Sequence, residues 1–525
     1  MIDALEITNY KAFEKAKIPI KPITIFLGAN SVGKSSIIQL LLLLQQTGKE
    51  DIKSYTSALK LYGGYVNLGD SINLFRKLDT TKPLKLKFKL QSNTLKQFLQ
   101  RQLFMEYINY VTQIPRYVPI KSFLDLRHKS VDSKDDFEKY IDALISVMKK
   151  ERTSSSDYIA EIEWFLSNRR DSSIMNIDDL TDSRKGIILK TYSFLDKLSK
   201  RIKGDEFTLD LNISYQRKKL NVSKYSLSHN GDVIISFEKD NISSSFISFE
   251  EGEMKDLAKS FSASNTIFNI FSQKTKIKVS TLTSAFLHII NCSLKQLKIE
   301  FTEDKINYVS PLRAHPKRYY MLDKAKINLT LDTLDGDAIA EVLKENSALK
   351  GKVNKWLNDF GLSVNVEEFK EVVHHLKVKQ NDLNLDITDV GFGISQVLPV
   401  IIQGFLSAPN STTIIEQPEI HLHPKMQADL ADLFIDIINS GKAKKLIVET
   451  HSEYLLKRLR RRISEGVVNA DDISICLFNP QSEHKSAYIE NVKIEEKGYF
   501  DWPIDFYGGE LLRDTTEFLI NQGKE

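Results

Sequence analysis

The sequence is poor in cysteine and has no hydrophobic run long enough to cross a bilayer. Its 525 residues include two cysteines, Cys292 and Cys476, which lie far apart in apolar surroundings. Two thiols exclude a disulfide-rich scaffold and a four-cysteine zinc site, and they are typical of a reducing cytosol. The most hydrophobic run, Ile37–Leu44, suits a buried helix. We therefore expect a cytoplasmic protein without a membrane partner.

An excess of charge of either sign is missing as well. The formal net charge is +4, and 27% of the residues are charged while 42% are hydrophobic, as in a globular protein with ample core. A chain this close to neutrality has no global positive field, so DNA contact requires a local basic patch. The length corresponds to about three domains of ordinary size.

What the sequence does contain is a phosphate-binding loop. The segment Gly28–Ser35, GANSVGKS, fits G-x-x-x-x-G-K-[ST] between an apolar helix and the strand Ile23–Leu27, which we pair with Ile18–Ile20. Glycines let successive N–H groups turn towards phosphate oxygens, and the helix start adds its positive dipole end. An ordinary turn before a helix is the alternative. We predict nucleoside triphosphate binding by Asn30, Gly33, Lys34, Ser35 and Ser36, with Lys34 on the β- and γ-phosphates and Ser35 on Mg²⁺.

Polar residues also follow two apolar strands in the C-terminal half. Glu416 ends the strand Thr412–Ile415, and the carboxyl end of a strand is where an open α/β sheet places ligand-binding groups. A carboxylate there can hold Mg²⁺ opposite Ser35. His451 stands at the end of another apolar strand and can contact the γ-phosphate or the attacking water. Taken alone, each residue also fits a solvated polar group.

Three further segments are less specific. The glycine-rich loop Asp389–Gln396 precedes the apolar helix Val397–Phe405, so it is either an anion site or a plain helix start. Arg313 ends a strand as an exposed arginine that reaches a phosphate, a partner carboxylate or solvent. The basic run Lys457–Arg462 is a candidate DNA-phosphate patch, although such runs are more often solvated helix ends.

The segment between the two halves has a different character. From residue 94 to 300 the spacing is mainly helical, with many Lys, Glu and Gln residues and no motif of chemical meaning. We therefore divide the chain into an N-terminal half of the nucleotide-binding domain (1–93), an insertion that could carry partner or oligomer contacts (94–300), the C-terminal half (301–497) and a tail (498–525).

Taken in order, the motifs resemble those of ABC-type ATPase heads of the OLD and SMC-like superfamily: GANSVGKS, GFGISQ, TTIIEQPEIHLHP and VETHSE. The chain looks most like stand-alone AAA-family ATPases of bacterial antiphage systems, such as the PtuA subunit of Septu and related retron effectors. The resemblance covers roughly residues 1–90 and 300–525. It implies an α/β fold: an ABC-type P-loop ATPase head, with a mixed sheet and flanking helices, interrupted by a large, mainly helical insertion.

The resemblance also implies roles for individual residues. Gly28–Ser35 takes the Walker A position, Glu416 the Walker B position and His451 that of the switch histidine. The signature loop, which meets the nucleotide held by the opposite subunit, corresponds to Gly391, Gly393, Ser395 and Gln396. Such heads work as homodimers or higher homo-oligomers with ATP and Mg²⁺. The implied reaction is in-line attack of water on the γ-phosphate.

One position departs from the family pattern. Relatives read Asp-Glu-Pro, with the glutamate as catalytic base, whereas this chain reads Glu416-Gln417-Pro418-Glu419. Gln417 cannot accept a proton as a carboxylate does, although a glutamine can orient water. We expect either that Glu419 substitutes as the base or that turnover is slow and the site acts as a nucleotide-gated clamp. The predicted catalytic residues are Glu416, Gln417, Glu419 and His451.

The leading hypothesis is a slowly hydrolysing regulatory ATPase of an antiphage complex that controls a separate HNH-type nuclease subunit. DNA or a retron reverse transcriptase with its nucleic acid is a further candidate partner. OLD nucleases carry a Toprim domain after the ATPase, and 74 residues follow His451, so we expect no intrinsic nuclease. The alternative is a DNA-repair or chromosome-associated SMC-like ATPase that binds DNA in an ATP-dependent way. A transporter's ATP subunit is disfavoured by the insertion and the altered signature.

Overall fold

The structure is a computed structural model of the chain. It describes residues 1–49, 57–117, 121–127, 129–154, 176–238, 241–260, 266–270, 279–302, 305–313, 315–321, 337–370, 373–380, 382–441, 443–480, 486–500 and 516–522. Most of the tail that we divided off, at 501–515 and 523–525, lies outside these ranges.

The described residues form three β-sheets with helices packed around them, numbered here in chain order. The strands are β1 (Ile2–Tyr10), β2 (Phe13–Pro19), β3 (Ile23–Gly28), β4 (Leu84–Gln91), β5 (Glu206–Gln216), β6 (Lys219–His229), β7 (Asp232–Glu238), β8 (Asn241–Ser243), β9 (Ile306–Val309), β10 (Tyr320–Met321), β11 (Leu362–Lys370), β12 (Val373–Gln380), β13 (Leu383–Asp386), β14 (Thr412–Glu416), β15 (Lys445–Glu449), β16 (Ile473–Asn479) and β17 (Tyr488–Val492). The main helices are α1 (Lys34–Gly48), α2 (Asn93–Gln97), α3 (Leu103–Tyr117), α4 (Lys134–Ser154), α5 (Lys185–Arg201), α6 (Glu251–Ser260), α7 (Thr281–Ile299), α8 (Asp337–Glu345), α9 (Ser347–Asn358), α10 (Phe392–Leu406), α11 (Pro424–Asn439) and α12 (Glu453–Ser464).

The six-stranded sheet organises the head. Its order is β17-β16-β3-β15-β14-β9, and all neighbouring strands are parallel except β16 and β17. Both β3 and β15 are buried along their whole length, as expected for parallel strands covered on both faces. Because parallel strands end at the same edge, the phosphate loop after β3 lies beside the ends of β15 and β14.

The seven-stranded antiparallel sheet joins the N-terminal strands to the insertion. Its order is β2-β1-β4-β5-β6-β7-β8, so the strands of the insertion pair directly onto β4. The predicted pairing of Ile18–Ile20 with Ile23–Leu27 is wrong, because Ile18 lies in β2 of this sheet and Ile23–Leu27 lies in β3 of the six-stranded sheet. A tight turn redirects the chain between them, with the Lys21 N–H donating to Thr24 Oγ1 at 3.0 Å.

Two hydrophobic cores cover the two faces of the six-stranded sheet. Phe26 and Ile447 belong to the core that also contains α1, the antiparallel sheet and the insertion helices. Ile25 and Val448 belong to the second core, which contains α8 to α12 and the small sheet β10-β12-β11, with β13 paired to β12. This alternation along single strands is the period-two pattern of a sheet buried between two layers.

The predicted fold class is confirmed. The chain is an α/β head with mixed sheets and flanking helices, interrupted by a large insertion whose described part is mostly helical and adds four strands. None of the helices in the described ranges combines the length and the apolar composition needed to cross a membrane.

Candidate nucleotide-binding site

The phosphate loop connects β3 to α1, and its shape depends on Gly33. This glycine has φ +107°, a backbone conformation open to glycine, and a Cβ there would lie 2.6 Å from Cζ of Phe13. No described side chain caps α1, so its positive end remains open to an anion. Three other predicted contact residues lie at the surface of this loop, exposed or half-buried: Asn30, Ser35 and Ser36.

The side chain of Lys34 is folded back onto the loop. It is 3% exposed, and its Nζ atom donates to the carbonyl oxygens of Gly28 and Ala29, each at 2.8 Å. The same atom lies 3.8 Å from Oε1 of Glu449. Burial lowers the pKa of Lys34, and the nearby carboxylate of Glu449 opposes that shift. The ammonium group is therefore held between loop carbonyls and an acidic side chain.

Two glutamates stand side by side next to Lys34, at the ends of β14 and β15. Glu416 and Glu449 are in register and are 8% and 5% exposed. Glu416 accepts a hydrogen bond of 2.5 Å from the Tyr308 hydroxyl. Burial, followed by the charge of Glu416, raises the pKa of the Glu449 carboxyl to about 7, and burial also raises the pKa of Glu416. The pair is an acidic, water-poor surface beside the phosphate loop.

The turn after β14 carries two further residues that were predicted to be catalytic, Gln417 and Glu419. Gln417 has φ +46°, a left-handed conformation rare outside glycine, and its N–H donates to the Glu449 carbonyl at 2.8 Å. Glu419 accepts one hydrogen bond on each oxygen, from Thr450 Oγ1 at 2.8 Å and from the His451 N–H at 2.7 Å. Burial raises the pKa of Glu419. Glu419 thus ties the turn after β14 to the turn after β15.

His451 lies just after the end of β15, where the charge of Lys34 affects its pKa. Burial and the Lys34 ammonium group lower the pKa of His451, so the ring is neutral near pH 7 and can accept a hydrogen bond. Two buried atoms at this edge, Glu449 Oε2 and His451 Nε2, have no hydrogen-bond partner among the described residues. Buried polar atoms normally have partners, so this edge fits a polar ligand such as a nucleotide with its cation.

The signature residues lie in the first turns of α10. The helix begins at Phe392, so the prediction of a loop as far as Gln396 is wrong; the last extended residue is Gly391, with ψ 139°. A Cβ on Gly393 would lie 2.6 Å from the His421 carbonyl oxygen, because the helix start packs closely on the turn after β14. Ser395 and Gln396 are buried, and their contact with a nucleotide of another subunit stays a prediction.

Arg313 is not the exposed arginine that the sequence predicted. It is 6% exposed, and its guanidinium donates to the Gln396 carbonyl at 3.1 Å and to the carbonyls of Glu416 and Gln417 at 2.8 and 3.2 Å. Burial lowers the pKa of Arg313 to about 10. The arginine connects the start of α10 to the turn after β14, and it reaches this position because it follows β9, the strand next to β14.

The basic run on α12 is balanced by acidic side chains. Arg458 and Arg462 both bind Asp432 of α11 with 2.5 Å contacts, and Arg461 binds Glu465 at 2.6 Å. These pairs remove most of the positive charge that a DNA-phosphate patch requires. Arg458, Arg461 and Arg462 therefore make contacts within the chain, and DNA binding by the run stays a prediction.

Among the described residues, no group of three or more His, Cys, Asp or Glu side chains is placed to hold a metal ion. A cation bound at Glu416 must therefore complete its shell with hydroxyl, phosphate or water oxygens, which is usual for Mg²⁺. The donor set at this edge, carboxylates and the Ser35 hydroxyl, is an oxygen set and fits Mg²⁺.

Two residues of the site, Glu449 and Tyr308, were not among those predicted from the sequence. Glu449 ends an apolar strand, and this is the signal that identified Glu416, so the residue was within reach of the sequence. Tyr308 could not be identified from the sequence, because its position depends on the pairing of β9 with β14. In that pairing Tyr308 is in register with Ile414.

The fold and the site together define a P-loop nucleotide-binding protein. The family model for the AAA ATPase domain matches residues 1–456, so the chain belongs to that ATPase family. The OLD nuclease of Thermus scotoductus is 28% identical over 170 residues, which make up 31% of this chain and 31% of that protein. The match thus spans about a third of the relative.

Solved structures of SMC heads overlap with the chain at low scores. An SMC head bound to the C-terminal winged-helix domain of ScpA gives a TM-score of 0.38 at 12% identity, covering 94% of this chain and 99% of that one. The SMC head domain from Thermotoga maritima gives 0.35 at 8% identity, with the same coverages. The assignment of the fold therefore depends on the strand order and the phosphate loop described above, and not on these overlaps.

Proposed function

We propose that the chain is an ATP-binding, slowly hydrolysing regulatory ATPase whose heads dimerise around nucleotide and control a partner nuclease in an antiphage complex. The observation that carries this proposal is the gathering of Lys34, Glu416, Glu449 and His451 at one sheet edge beside the phosphate loop. A lysine, carboxylates and a neutral histidine at this place are the groups that phosphoryl transfer needs.

Each residue has a defined task in this proposal. The loop amides bind the triphosphate, and Lys34 exchanges the carbonyls of Gly28 and Ala29 for the β- and γ-phosphate oxygens. Ser35 and Glu416 hold Mg²⁺, which, when bound, offsets the charge of the phosphates. The Gln417 amide orients the attacking water, and His451 contacts the γ-phosphate.

Slow turnover follows from Gln417 and Glu419, which lie in the turn after Glu416. By the resemblance, Gln417 stands where related ATPases have the glutamate that acts as the catalytic base. A carboxamide takes up no proton at neutral pH. Glu419, the other candidate base, uses both oxygens to hold Thr450 and His451. These bonds support the hypothesis of a nucleotide-gated clamp over that of a fast motor.

The partner assignments belong to the same proposal. Residues 1–93 and 301–497 form the ATPase head, 94–300 carries partner or oligomer contacts, and a separate HNH-type subunit cleaves nucleic acid. The match to a protein named OLD nuclease supports a link to nucleic-acid cleavage, although it covers a third of that protein. The alternative of a DNA-binding, chromosome-associated ATPase is disfavoured at its candidate DNA patch, because Arg458 and Arg462 are paired within the chain.

The proposal is tested by ATP-dependent dimerisation and by phage challenge. We expect light scattering to show a doubling of mass on addition of Mg·ATP, which Lys34→Ala abolishes. The matched control is Lys224→Ala, which breaks an ion pair with Glu238 outside the site. In a host that carries the gene with its neighbours, Lys34→Ala should lose protection while the control keeps it. An unchanged mass with ATP, or full protection by Lys34→Ala, contradicts the proposal.

A further inference from the structure

We propose that Glu416 and Glu449 form a two-carboxylate site that binds a divalent cation before any nucleotide arrives. In the cation-free state Lys34 serves as the counter-ion of this pair. The inference rests on the proposed function, since it concerns the same site, and it adds Glu449 to the predicted ligands Ser35 and Glu416.

The first support is the charge balance at the ends of β14 and β15. Two carboxylates lie in register there and are almost fully buried, and among the described residues the ammonium group of Lys34 is the cation that forms an ion pair with Glu449. Two buried negative charges repel each other, and one ammonium group balances one of them. A divalent cation balances both carboxylates.

The second support is the unsatisfied oxygen of Glu449. Its Oε2 atom is buried and accepts no hydrogen bond within the described residues, while Glu416 has the Tyr308 hydroxyl as donor. The 3.8 Å distance from Lys34 Nζ to Glu449 Oε1 is longer than an N–H···O hydrogen bond, so the lysine does not satisfy the carboxylate either. An oxygen-only site of this kind suits a hard cation such as Mg²⁺ or Mn²⁺.

The third support is that the ammonium group of Lys34 has hydrogen-bond acceptors other than Glu449. Its Nζ atom already donates two 2.8 Å hydrogen bonds to loop carbonyls, so a cation can replace it at Glu449 without leaving the ammonium group bare. The cation then leaves Lys34 free to move towards phosphate oxygens. Cation binding would therefore prepare the loop for nucleotide.

The test is a titration of the full chain with Mn²⁺ alone at pH 8, read from the EPR signal of free Mn²⁺. We expect one Mn²⁺ per chain, with affinity weakened about tenfold or more in Glu449→Gln, because one charged ligand is lost. Lys34→Met should instead tighten binding, because the competing ammonium group is gone; a gain in affinity cannot come from misfolding. The control Glu238→Gln removes an exposed glutamate at the end of β7 that is paired with Lys224, and it should leave this affinity unchanged.

The result that overturns the inference is absence of Mn²⁺ binding without nucleotide, or binding that Glu449→Gln leaves unchanged. Binding of a fluorescent ATP analogue is measured in parallel on the same samples. If the analogue binds and Mn²⁺ alone does not, the cation site fails while the ATPase proposal stands. If Mn²⁺ binds as expected and the analogue does not bind, the ATPase proposal fails instead.

Discussion

Replacing Glu449 by glutamine in cation-free and nucleotide-free buffer should stabilise the protein more strongly as the pH rises. The pKa of this carboxyl is about 7 in the folded chain, whereas the ordinary pKa of a glutamate side chain is 4.5. The folded state therefore holds the proton more tightly, so ionisation between these two pH values favours the unfolded chain. Wild-type stability is lost as the pH rises towards 7, and glutamine, which mimics the neutral acid, escapes this loss.

The magnitude follows from the size of the pKa rise. A rise of about 2.5 pH units corresponds to roughly 3 kcal/mol in total, of which about 2 kcal/mol develops between pH 5.5 and pH 8.5. For a chain of this length that unfolds as one unit, this is about 2 °C in Tm. The cause is burial first and the neighbouring Glu416 carboxylate second, with Lys34 acting in the opposite direction.

The assay is scanning calorimetry of wild type and Glu449→Gln at pH 5.5, 7 and 8.5 with EDTA. The control is Thr413→Val, a buried substitution on β14 that carries no titratable proton and should give the same Tm difference at every pH. A Tm difference for Glu449→Gln that is flat with pH, or that moves in favour of wild type, refutes the reasoning.

Three further outcomes are expected. Arg313→Met should lower stability by roughly 3 kcal/mol, seen as a lower Tm, because three buried carbonyl oxygens lose their donor; an unchanged Tm would show that the carbonyls find other partners. Gly33→Ala should cost about 2 kcal/mol and weaken binding of a fluorescent ATP analogue, since its Cβ would lie 2.6 Å from the Phe13 ring at φ +107°; normal affinity would mean that the loop shifts freely. The double substitution Arg458→Gln with Arg462→Gln should leave the salt dependence of DNA binding by the protein unchanged, because both arginines are already paired with Asp432. A weaker dependence of DNA affinity on salt concentration would restore the DNA-patch hypothesis.

Much of the head could be predicted from the sequence because its signals are local. The strand Ile2–Tyr10, the phosphate loop and the strand that ends at Glu416 all follow from short apolar runs with polar ends. The class of fold follows from the same motifs in order. These features depend on neighbouring residues along the chain, which a single sequence displays.

The remaining features depend on contacts between distant segments. Tyr308 reaches Glu416 because β9 pairs with β14, a contact across 108 positions. The burial of Arg313 depends on carbonyls of α10 and of the turn after β14. The place of the insertion strands in the antiparallel sheet also depends on a distant contact, because β5 pairs with β4. Hydrophobic spacing does not encode such pairings.

The most direct test of the central claim is ATP turnover by the purified wild type beside Lys34→Ala and Gln417→Glu. We expect slow, Mg²⁺-dependent phosphate release by the wild type, none by Lys34→Ala, and faster release by Gln417→Glu, which restores a carboxylate at the position of the base. Equal turnover by wild type and Lys34→Ala would contradict the assignment of the site. Fast turnover by the wild type that Gln417→Glu does not increase would contradict the clamp.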